Sequence, residues 1–182
     1  VLELNNKLIN NATIIELYLN KKVYPKINAL YNSITTSENE FFLFDVIENE
    51  RIEISSLPGS YSSAGFSNDN KSFFYITDIN NEFSYLNKYD IESNESSVIY
   101  ETEWDVMYSY LSKNEKYRII GVNEDGKNSV KVIEVDSNLP IKLPSFNNED
   151  ITSVSFSESE QKIRLSVGSS KIPNDLFVYD IE

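Results

Sequence analysis

Chemistry in a protein needs groups that ionise, attack or ligate, and this chain offers a restricted set. It has neither cysteine nor histidine. Thiolate nucleophiles, imidazole bases, Ser-His-Asp triads and zinc sites built on Cys or His are therefore excluded. Carboxylates remain, in clusters at Glu48, Glu50 and Glu53, at Glu101, Glu103 and Asp105, and at Glu149 and Asp150. Calcium wants several oxygens converging from one loop, and none of these spacings matches an EF-hand or a nonapeptide calcium repeat. Paired acids run glycosidase chemistry, but nothing in the sequence singles out a pair. The stretch "GSYSSAG", Gly59 to Gly65, lacks the G-x-S-x-G spacing of a nucleophile elbow and offers no strand-to-helix turn. Trp104-Asp105 is expected to lie in a link between repeats, with Trp104 as a partly buried packing residue. No catalytic, cofactor-binding or metal-binding residue is expected, and the chain by itself is not expected to be an enzyme.

Composition narrows the partners. The net charge of −13 repels a phosphate backbone and an anionic lipid surface, because non-specific nucleic-acid affinity comes from Lys and Arg releasing counterions. Nucleic acid and membrane are therefore not expected as partners; a peptide or protein is. No apolar run approaches the ~20 residues that span a bilayer. A chain without cysteine suits the cytosol or the periplasm. Val1 opens in mid-pattern without an initiator Met, so the chain is expected to be part of something longer.

Elements that position side chains come from a repeat. "FFLFD" ends at Asp45, "YLNKYD" at Asp90, "VKVIEVD" at Asp136 and "DLFVYD" at Asp180, at intervals of 45, 46 and 44 residues. A second landmark keeps the same beat: "YSSAGFSNDNKSFFYIT" starts at Tyr61, "VMYSYLSKNEKYRIIGV" at Val106 and "ITSVSFSESEQKIRLSV" at Ile151. The sixth position of each is large and apolar (Phe66, Leu111, Phe156), and the seventh is Ser (Ser67, Ser112, Ser157). A polar turn and a new apolar run follow.

Each unit parses into short runs rich in β-branched and aromatic residues, bounded by polar clusters. From Tyr61 these are "YSSAGF", "SFFYIT", "FSYLNKYD" and "SSVIYETE". Asp125-Gly126 suits a tight hairpin. "NATIIELYL" comes nearest to a helical pattern, but its Ile-Ile pair fits a strand. Four-stranded antiparallel units at a period of ~40–50 residues are the signature of a β-propeller, one blade per repeat. The expectation is an all-β partial propeller of about four blades, at 1–60 (irregular), 61–105, 106–150 and 151–182, the last without its fourth strand. The recurring Ser and Asp are expected to cap backbone amides of the turns that follow them.

The turn "FSNDNK", Phe66 to Lys71, resembles the F-S-P-D-G-K blade motif of prolyl-oligopeptidase-family serine peptidases and of TolB-type propellers, although none of the three turns keeps that motif's Pro or Gly. The run Ser169-Ser170-Lys171-Ile172-Pro173-Asn174-Asp175-Leu176-Phe177-Val178-Tyr179-Asp180 is similar to the last propeller blade of the acylaminoacyl-peptidase and dipeptidyl-peptidase branches, just before the chain crosses into an α/β-hydrolase domain. The resemblance spans roughly residues 40 to 182. It implies a non-catalytic propeller segment that caps or gates peptide access to a hydrolase domain, which is itself a partner. The alternative is a stand-alone TolB-like or WD-like propeller that binds proteins. Open blade edges and faces are expected to favour self-association.

Overall fold

In a computed structural model of the chain, residues 13–16, 27–57, 59–146 and 149–181 are described. All regular structure among them is β-strand, arranged as a partial β-propeller. The first sheet comprises β1 (Thr13–Glu16), β2 (Ile27–Ser33), β3 (Asn39–Asp45) and β4 (Glu50–Glu53). The second comprises β5 (Tyr61–Phe66), β6 (Ser72–Thr77), β7 (Tyr85–Asp90) and β8 (Glu95–Tyr100). The third holds β9 (Asp105–Leu111), β10 (Tyr117–Glu124), β11 (Lys127–Glu134) and β12 (Leu139–Pro140). The fourth holds β13 (Asp150–Phe156), β14 (Lys162–Gly168) and β15 (Asp175–Asp180). Strands follow chain order across every sheet, the meander that short hairpins dictate.

Two segments depart from the expected blade. In the first blade, expected to be irregular, β2 and β3 are joined by a short regular turn. There Ile34 and Thr35 donate to the Glu38 carbonyl. The expectation for the opening residues falls outside the described residues, except that the Ile14-Ile15 pair lies in β1. In the third blade the fourth strand shrinks to Leu139–Pro140, since Pro140 has no N–H to give the ladder. One more bond, from Ile141 N–H to the Val132 carbonyl, extends it.

The described residues divide into two compact units, 1–63 with 77–81, and 64–76 with 82–182. In the first unit Leu30, Phe42 and Phe44 form a small core with Val46 beside it. The Arg51 guanidinium lies 4.1 Å from the Phe42 ring centroid and pairs with Glu40 and Glu53. Phe41 stacks on Tyr61.

In the second unit the third sheet is covered on both faces. β10 shows the consequence for sequence. Its Tyr117 and Ile119 pack with Val132, Val154, Ile163, Leu165 and Val167 toward the fourth sheet. Its Ile120 and Val122 pack with Phe74, Ile76, Leu86 and Val106 toward the second. Successive side chains point to opposite faces, so a strand covered on both sides reads as a near-continuous apolar run, as "YRIIGV" does. Gly121 breaks the run for a steric reason: a Cβ there would sit 2.2 Å from the ring of its cross-strand partner Tyr108.

Candidate functional site

The recurring serines set the turns at one end of each blade. Ser67 Oγ accepts the N–H of Ser72 at 3.0 Å, Ser112 Oγ that of Tyr117 at 3.0 Å, and Ser157 Oγ that of Lys162 at 3.1 Å. The fourth turn position is left-handed each time: Asn70 (φ 58°), Glu115 (φ 61°) and Glu160 (φ 57°). This is where the resembling motif places Gly. A non-Gly residue there is strained, and the structure shows what the two glutamates gain. Glu115 Oε1 accepts the Asn68 N–H in the preceding blade's turn. Glu160 Oε1 accepts the Asn114 N–H in the same way, at 2.6 Å. Asn68 Nδ2 adds a bond to the Lys113 carbonyl at 2.9 Å, and Lys113 Nζ reaches Glu158 Oε1 at 2.8 Å. The first-hairpin turns of the second, third and fourth blades are thus tied in series.

The turns after the third strands lie at the same end. Asp45 Oδ1 accepts the N–H groups of Ile47 and Glu48, and Asp90 Oδ1 those of Glu92 and Ser93. These amide bonds hold the Asp90 carboxyl below its usual range. In the third blade the structure corrects the sequence reading. The strand ends at Glu134, and Asp136 lies two residues into the turn. Glu134 Oε2 accepts the Ser137 hydroxyl at 2.7 Å, as Asp90 accepts that of Ser93. The left-handed Asn49, Asn94 and Asn138 then fall four residues after Asp45, Asp90 and Glu134. In each of the last three blades the residue after this slot donates to the first hairpin: Ile91 to the Lys71 carbonyl, Val135 to Lys116 and Ile181 to Gln161.

The residues considered for chemistry are dispersed. Gly59–Gly65 runs into strand β5 and does not form an elbow. Trp104 lies in the link between β8 and β9 but is exposed rather than partly buried, tilted against Phe83 at 6.3 Å, and Asp105 already opens β9. Asp105 caps Ser84 N–H at 3.0 Å, tying the third blade to the second. Glu53 is bound to Arg51. Among the described residues no three acids gather as a metal site would require.

One feature was missed in the sequence. A cleft of about 310 Å³ lies between the second and third blades, lined by Phe74, Lys88, Ile99, Ile133, Asp69, Glu115 and Arg118 among others. Arg118 is only 7% exposed. Its guanidinium stacks 3.9 Å from the Phe74 ring centroid and donates through Nη1 to Ser109 Oγ at 3.3 Å. Burial lowers it to about 10, which leaves it fully charged at neutral pH. The repeat carries the signal that finds it. One residue past each Ser-capped amide, the blades place Phe73, Arg118 and Ile163, so the third blade alone puts a cation in an apolar slot.

Comparison with known proteins places this fold. No family model and no curated protein matches the sequence. Solved structures do. TolB from Acinetobacter baumannii is 18% identical with a TM-score of 0.59, over 86% of this chain and 38% of that one. A prolyl endopeptidase is 14% identical with a TM-score of 0.67, over 85% of this chain and 25% of that one. A puromycin-hydrolysing peptidase of Mycobacterium tuberculosis is 12% identical with a TM-score of 0.61, over 85% and 25%. The chain therefore spans well under half the length of each of these three. At such identities the likeness shows the fold: a β-propeller of the kind found in TolB and in prolyl endopeptidases.

Proposed function

We propose that this propeller is a non-catalytic segment of a prolyl-oligopeptidase-like serine peptidase, where it caps an α/β-hydrolase domain and limits entry to short peptides. The observation that carries this reading is the likeness to a prolyl endopeptidase, at a TM-score of 0.67, joined to the Ser169–Asp180 run that resembles the last blade of that family. In the structure that run folds as a tight loop entering β15, with Ser169 Oγ accepting the N–H groups of Lys171 and Ile172. The test is cleavage of a peptide series of increasing length by the whole protein. Activity on short peptides that collapses for long ones supports the gate. Equal activity at every length removes it.

The likeness to TolB favours a second reading, a stand-alone propeller that binds protein partners. Its mark is a whole protein with no reactive serine. Either reading accommodates self-association of this chain through its last sheet. Among the described residues β15 pairs only with β14, and Leu176 and Val178 stand exposed on it. Light scattering that rises above monomer mass with concentration supports that contact, and a constant monomer mass refutes it.

A further inference from the structure

We propose that the cleft beside Arg118 binds a carboxylate, presented either by a small organic acid or by an acidic side chain of a peptide. This is independent of the peptidase reading. The first argument is an unmet demand. A guanidinium carries five N–H donors in a planar fork, and among the described residues one bond, to Ser109 Oγ, is made. No carboxylate of the described residues lies within ion-pair distance of it. No Arg118 nitrogen is both sealed from solvent and unbonded, so the donors not used by Ser109 are open to a ligand entering the cleft.

The second argument is that the nearby acids are already engaged. Glu115 accepts the Asn68 amide. Asp69 accepts the Ser67 hydroxyl at 2.6 Å and the Lys71 amide at 3.0 Å. The Glu115 charge favours the Arg118 cation from a distance, but neither acid forms an ion pair with it, although both line the same cleft. The remaining donors are left for an outside acceptor, and Lys88 on the cleft wall adds a second cation.

The third argument selects the ligand. Two acids facing the cavity disfavour a dianion such as phosphate. A monoanionic carboxylate carries half that charge, is planar, and matches the guanidinium fork with two parallel bonds. Phe74, Ile99 and Ile133 supply an apolar wall for the carbon next to it.

The experiment follows the Arg118 Nε–H NMR signal of the intact 182-residue chain during titration with sodium acetate, with an acetyl-Glu-amide dipeptide mimic, and with sodium chloride at matched ionic strength. The expected result is a saturating shift with acetate or the mimic and none with chloride. Binding of the mimic tighter than acetate by about tenfold or more points to a peptide source, and the reverse order to a free acid. Lys88→Met, at the cleft wall, should weaken binding several-fold with the fold intact. Arg118→Met should abolish it. If Arg118→Met does not fold, the unmodified chain still decides: an Arg118 signal that neither carboxylate moves overturns the proposal.

Discussion

Glu160, in the first-hairpin turn of the last blade, holds the Asn114 amide of the preceding blade's turn at 2.6 Å while sitting at a φ of 57°. The side chain is 4% exposed. A buried bond to an ionised acceptor is worth about 1.5–3 kcal/mol, and a left-handed non-Gly residue costs about 1 kcal/mol or more. The two effects separate by mutation. Glu160→Ala loses the bond and keeps the strain; Glu160→Gly loses the bond and relieves it. Urea denaturation should place both below the parent, with the Gly variant about 1 kcal/mol above the Ala variant. The same order is expected at Glu115.

Asp90 makes acid stability predictable in sign. The Ser93 amide is the largest cause that lowers its pKa below 3.8. A group with a depressed folded pKa stabilises fully above its unfolded pKa and loses that contribution as pH falls through the folded value. Asp90→Ala should therefore melt at a lower temperature than the parent at neutral pH. The gap should close as pH drops well below 3.8. A gap that stays constant through acid would assign the loss to packing.

The third blade tests the slot assignment. Asp136 is exposed and bonds nothing among the described contacts, whereas Glu134 accepts the Ser137 hydroxyl. Asp136→Ala should change stability by less than about 0.5 kcal/mol. Glu134→Ala and Ser137→Ala should each cost about 0.5–1 kcal/mol, and the double variant should cost no more than the larger single one if the bond is what both lose.

Packing between blades is tested at β10. A Cβ at Gly121 meets the Tyr108 ring. Gly121→Ala should cost about 1–3 kcal/mol by overpacking, and Tyr108→Ala in the same chain should rescue part of it. Ile119→Ala, in the core facing the fourth sheet, should cost about 2–5 kcal/mol.

Much of this architecture was legible because propeller blades repeat their turns in register. The Ser67, Ser112 and Ser157 spacing marked the first hairpins, and Asp45, Asp90 and Asp180 marked the ends of third strands. Asp136 misled because the third blade uses Glu134, whose extra methylene reaches the same serine position, and leaves an Asp two residues later. The missing glycines of the resembling motif hid the left-handed turn positions, which Asn and Glu fill. Arg118 was hidden for another reason. Periodicity tells which face a residue occupies, but a cation inside an apolar pattern is informative only once the neighbouring blade is known to cover it.

The central claim is that the propeller serves a hydrolase while carrying no catalytic group of its own. It is tested most directly by treating the whole protein and this chain in parallel with a fluorophosphonate serine probe, then mapping the adduct by mass spectrometry. The account predicts one labelled serine in the whole protein, outside residues 1–182, and no label on this chain. An unlabelled but folded whole protein, or a label on a serine within this chain, would contradict it.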